Sequence, residues 1–105
     1  MRADVLTSRE VAARVAGAQA DIVRLGVRRL ALFGSVRRDT ARPDSDVDFL
    51  VEFAPGQKSY DRFFGLAELL EQLLNHSVEL VTPESLSPSM RSHILRDAAD
   101  VLPAA

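Results

Sequence analysis

From Ser8 to Gly26 the apolar residues return at helical spacing. Val11, Val15, Ala18, Ile22 and Leu25 fall four, three, four and three residues apart, which draws one apolar stripe. Thr7 with Glu10 three residues later has the pattern of a capping box, and Gly26 supplies a stop. Val27 to Phe33 turns apolar after Arg28-Arg29 and predicts a buried strand that ends at Gly34-Ser35. Val36 to Asp44 is polar and basic, with Pro43 near its end, and predicts a short helical turn followed by a loop. Asp46 to Phe53 alternates: Val47, Phe49, Val51 and Phe53 share one side, and Asp46, Asp48, Leu50 and Glu52 the other. After the loop Ala54–Lys58, Ser59 caps a predicted helix from Tyr60 to Leu74, with Phe63, Leu66, Leu70, Leu73 and Leu74 inward. Ser77 to Val81 predicts a short strand and Pro83 to Pro88 a connector. Ser87-Pro88 opens a last helix running to Ala99, and Val101-Leu102 forms an edge strand or a frayed tail.

The predicted order is α-β-(short α)-β-α-β-α. It gives an α/β (α+β) class: one small mixed sheet with helices packed mainly on one face. Residues 1–105 read as one domain, and 47% hydrophobic with 27% charged residues is ordinary for a globular protein. The absence of cysteine excludes disulfides, zinc–thiolate sites and thiol nucleophiles. A net charge of −2 argues against direct nucleic-acid binding. No apolar run is long enough to span a membrane, and Met1-Arg2-Ala3-Asp4 does not open a signal peptide, so the expected location is the cytoplasm.

The chemistry concentrates on Asp46 and Asp48. Two residues apart on one predicted strand, they project from the same face, opposite the apolar one. Like charges so placed raise each other's pKa, and a cation between them reverses that cost. Their ligand atoms are all oxygen, which suits a hard ion, Mg²⁺ or Mn²⁺. A bare Asp-x-Asp is more often the mark of a solvated strand face. The difference is made by Gly34-Ser35 at the end of the preceding strand, where a glycine admits close approach of the backbone and the turn offers donors to phosphate. Gly-Ser-x10-Asp-x-Asp arises by chance in roughly one chain of this length in a thousand, from average residue usage.

Leu32-Phe33-Gly34-Ser35, followed by Ala41-Arg42-Pro43-Asp44-Ser45-Asp46-Val47-Asp48-Phe49-Leu50-Val51, resembles the signature of the DNA polymerase β-like nucleotidyltransferases. The short length and the stretch from Val27 to Pro83 resemble their minimal (MNT) subgroup. The resemblance implies that Asp46 and Asp48 bind the metal and that Gly34-Ser35 holds the nucleotide triphosphate. It also implies a third carboxylate on a neighbouring strand, and Glu79 is the residue that matches it, as metal ligand or general base, with glutamate where the family often has aspartate. With Val78 and Leu80 facing the core, Glu79 faces the same side as the aspartates if the strands pair in register; the alternative is an exposed strand acid with no role. Many minimal members carry Ala-Arg-Gly after Gly-Ser; here Arg38 matches the arginine as a phosphate contact, while Asp39 replaces the glycine. Arg37 and Arg42 read as solvated, Lys58 as a surface lysine, and His76 and His93 as surface or helix-end residues without metal-ligand spacing. Tyr60, Phe63 and Phe64 read as core or interface.

The resemblance further implies transfer of AMP from ATP to a tyrosine hydroxyl of a cognate HEPN-domain RNase toxin, with this chain as antitoxin. The predicted core takes almost the whole chain, so the acceptor is expected to be a partner. Two alternatives stand beside this: an antitoxin that neutralises its partner by occlusion alone, and transfer to a small molecule.

Overall fold

A computed structural model of the chain describes residues 5–102; the Met1–Asp4 stretch read above lies outside them. The elements are α1 (Ser8–Gly17), α2 (Gln19–Arg24), β1 (Val27–Phe33), α3 (Gly34–Arg37), β2 (Val47–Phe53), α4 (Tyr60–Leu74), β3 (Val78–Val81), a 3₁₀ turn (Pro83–Ser85), α5 (Pro88–Asp97) and β4 (Ala99–Asp100). The strands form one mixed sheet in the order β3-β2-β1-β4. β1 runs antiparallel to β2 and β4, and β2 runs parallel to β3. The parallel pair requires a crossover, and α4 is that crossover.

Register sorts the side chains. Leu30 faces Val51 and Leu32 faces Phe49. These four share the main core with Val11, Val15 and Ile22 from the first two helices and Leu66, Leu70 and Leu74 from α4. On the opposite face Ala31 pairs with Leu50, Phe33 with Asp48, and Asp48 with Glu79. Ala31, Leu50 and Ile94 are buried outside the main core. α4 matches its predicted limits: Ser59 accepts the Arg62 amide, and Asn75 closes the helix in the left-handed region.

The single helix predicted over 8–26 is two helices broken at Ala18, whose amide folds back to Val15 O at 3.0 Å. Gly17 weakens the helix interior there. The stripe survives the break, since Val11, Val15, Ala18 and Ile22 are all buried. α3 begins at Gly34, two residues before the predicted turn. β2 begins at Val47, because Arg42–Ser45 closes a turn on itself and the first ladder bond is Val47 N–H to Ser77 O at 2.9 Å. Asp46 therefore stands just outside the strand in which it was predicted. α5 stops at Asp97 because Ala99–Asp100 crosses to pair with β1, two residues ahead of the edge strand expected at Val101-Leu102. Tyr60 and Phe64 are not core: they are 83% and 62% exposed and stack on each other along α4. Arg37 is half-buried, not solvated, and its Nε lies buried with no partner among the described residues. No helix among the described residues is long and apolar enough to cross a membrane.

Candidate active site

The end of β1 turns directly onto the centre of β2. Gly34 has φ +79, in the left-handed region that favours glycine. A Cβ built there would collide with Asp48 Oδ2 and would lie 3.1 Å from Asp48 Cγ. Backbone conformation and space thus both require glycine, and its absent side chain is what lets the Gly34-Ser35 turn rest against Asp48. The turn leads at once into α3, so Ser35 and Arg38 follow within one helical turn.

Asp39 resolves the departure from Ala-Arg-Gly. It adopts φ 57, a conformation glycine takes freely and aspartate tolerates better than most residues. Its Oδ1 accepts the Ser8 amide at 2.9 Å, placing a negative charge at the N-terminus of α1. The side chain thus ties the loop to α1 while keeping a backbone shape open to glycine.

Asp48 and Glu79 are register partners across the parallel pair, on the same face. The Asp48 carboxyl is pushed up to about 6. Burial is the largest cause, followed by the negative charge of Glu79, a hydrogen bond to Glu79 and the charge of Asp46; Arg38 pulls the other way. A cation set beside the pair would offset that repulsion. Asp46 and Glu79 are exposed, and Asp48 is half-buried. The sequence reading named these three acids as one ligand set. The structure brings Asp48 and Glu79 together with Asp46 as a charged neighbour; among the described residues no three acidic, histidine or cysteine groups converge as a finished metal cage. Asp46 stands apart because it precedes the first ladder bond. The donor set still fits a hard divalent cation, for it is all oxygen and its central carboxyl is disfavoured as an anion until positive charge arrives.

Arg38 donates from Nη1 to Asp97 Oδ2 at 2.8 Å, and the Gly34 amide donates to the same oxygen at 3.1 Å. Sequence reading missed Asp97. The available signal was an acid in the last turn of a helix, the end where the dipole disfavours negative charge. Lys58 pairs with Glu84 at 2.9 Å, outside this cluster. His76 Nδ1 lies 3.0 Å from Leu74 O at the end of α4, and His93 is exposed.

Residues 18–101 match the model of the nucleotidyltransferase domain. The protein adenylyltransferase MntA of Thermococcus cleftensis is 42% identical over 78 residues, covering 74% of this chain and 78% of its own. A solved minimal nucleotidyltransferase superposes with a TM-score of 0.78 at 35% identity, covering 90% of this chain and 95% of that one. More distantly, a complex described as a tri-AMPylated HEPN toxin of Shewanella oneidensis with its MNT antitoxin shares the fold, with a TM-score of 0.55 at 20% identity over 83% of this chain and 70% of that one. The glycine-serine turn folded onto a half-buried aspartate, the acid paired with it on the next strand and these likenesses agree: this chain belongs to the nucleotidyltransferase domain family, in its minimal form.

Proposed function

We propose that this enzyme transfers AMP from ATP to a hydroxyl of a partner protein, a tyrosine of a HEPN-domain toxin, and thereby acts as its antitoxin. The observation that carries the reading is the packing of Gly34 on Asp48, which sets the Gly34-Ser35 turn directly beside an acid of the Asp-x-Asp pair. The relative named a protein adenylyltransferase and the AMPylated toxin complex support the choice of acceptor.

In this reading the Gly34-Ser35 turn and Arg38 hold the triphosphate by amide, hydroxyl and guanidinium donors. Asp46, Asp48 and Glu79 would hold Mg²⁺ or Mn²⁺, which when bound neutralises the triphosphate and the departing pyrophosphate. Asp48 would ligate as the carboxylate, the form that its burial and Glu79 disfavour in the absence of a cation. The acceptor oxygen attacks the α-phosphorus in line; its bond to phosphorus forms as the bond to the bridging oxygen of the β-phosphate breaks. Glu79, exposed at the sheet edge, takes the hydroxyl proton. Catalysis is mainly positioning and charge neutralisation.

The test is co-expression of a candidate HEPN partner with wild type or with Asp46→Asn/Asp48→Asn, followed by intact-mass measurement of the partner. Wild type should add one or more AMP units and silence the toxin, and the variant should do neither. A partner of unchanged mass that the variant silences equally well would establish neutralisation by occlusion instead.

A further inference from the structure

We infer that Asp97 is a positioning residue for nucleotidyl transfer: it fixes the Gly34-Ser35 turn and orients the Arg38 fork for the triphosphate. The inference rests on the ATP-site reading above and concerns a residue which that reading does not use.

The geometry is specific. One oxygen, Asp97 Oδ2, receives both the Gly34 amide at 3.1 Å and Arg38 Nη1 at 2.8 Å. These two donors belong to different parts of the proposed phosphate seat, the turn and the start of the loop after α3. A single carboxylate sets their spacing. The Asp97 side chain is 23% exposed, against 53% for Arg38, so the acid is the anchored member of the pair. Guanidinium has five N–H donors in a rigid plane. Committing Nη1 to Asp97 fixes that plane and leaves Nε and Nη2 to face a second anion.

Nothing local accounts for an acid at this position. Asp97 ends α5, where the helix dipole disfavours negative charge, and α5 makes no use of its carboxylate. The contact instead joins the last helix to the turn at the end of β1. α5 and the short strand after it thereby act on the site from outside the Gly-Ser and Asp-x-Asp motif.

The experiment is a double-mutant cycle on the whole chain, with Asp97→Asn, Arg38→Ala and the pair. The readouts are calorimetric affinity for ATP with Mg²⁺ and the thermal midpoint without ligand. Asp97→Asn keeps size and one acceptor for the Gly34 amide but removes the charge that holds Arg38. It should weaken ATP binding roughly fivefold or more, move the midpoint little, and have no further effect once Arg38 is alanine. Arg38→Lys keeps the charge without the fork and should bind about as weakly as Arg38→Ala; this variant decides the matter if Asp97→Asn does not fold. Wild-type binding of ATP with unchanged or tighter binding by Asp97→Asn would overturn the inference and leave the ATP site standing, as would a loss undiminished in the Arg38→Ala background. Failure of wild type to bind ATP at all would remove the site itself.

Discussion

Asp48→Asn should stabilise the metal-free protein while destroying the proposed nucleotide site. The Asp48 carboxyl rises from 3.8 to about 6 on folding. A group whose folded pKa is raised binds its proton more tightly in the folded state. Between pH ~4 and ~6 the folded chain therefore holds more protons than the unfolded one, and wild-type stability falls as pH rises through that window, then levels off. The shift spans about two pH units at about 1.4 kcal/mol each, a ceiling of ~3 kcal/mol above pH 6. Because Asp48 is only half-buried, solvent screening reduces this, and the expected gain at pH 8 is ~1–3 kcal/mol. Asparagine is neutral throughout, so it carries no charge to be desolvated or to repel Glu79. Urea unfolding of both proteins with chelator at pH 8 and pH 4 measures the effect. The gain should be present at pH 8 and mostly gone at pH 4. A variant less stable than wild type at pH 8, or a gain independent of pH, would refute the reasoning.

Four further outcomes follow from the geometry. ATP binding with Mg²⁺ should weaken as pH falls through about 6, where Asp48 takes up its proton, and calorimetry at pH 8 and pH 5 would show it. Gly34→Ala should cost ~1–3 kcal/mol in urea unfolding through φ +79 and the collision with Asp48, and less in an Asp48→Ala background where the obstructing atoms are gone. Glu79→Gln should slow AMP transfer from α-labelled ATP at least tenfold, about 1.4 kcal/mol in the barrier, while changing ATP affinity less than Asp48→Asn does. Asp39→Ala should lose ~1–2 kcal/mol, from the left-handed backbone and the lost bond to the Ser8 amide, whereas Asp39→Gly should recover part of that in the same unfolding assay.

Where an apolar run ends at a glycine, as in Val27–Phe33, or a helical period meets a cap, as in Tyr60–Leu74, the sequence pattern carries the element limits. The shared face of Asp48 and Glu79 was legible too, because Val78 and Leu80 are apolar and the strand period is two. What escaped depends on contacts between distant segments. Ala18 lies on the apolar stripe, so the helix break there leaves no mark in the pattern. β4 has two residues, too few for alternation to register. Asp46 looked like a strand residue because alternation extends through it, although a side-chain turn delays the ladder by one position. Asp97 carries no motif at all; only the tertiary pairing of α5 with the Gly34 turn gives it meaning.

β3 is an edge strand of four residues, paired on one side only, and it carries Glu79 directly across from Asp48. Its docking follows a crossover and brings two repelling acids together, so in the ligand-free protein β3 should be the part of the acid cluster that opens first. Amide hydrogens of residues 78–81 should then exchange faster than those of residues 47–51 in β2. If Asp48 and Glu79 hold a cation as proposed, its binding should turn that repulsion into a clasp and slow the exchange of β3. Substrate binding at this site would thus also complete the sheet, and the protein would be most cohesive when loaded for transfer.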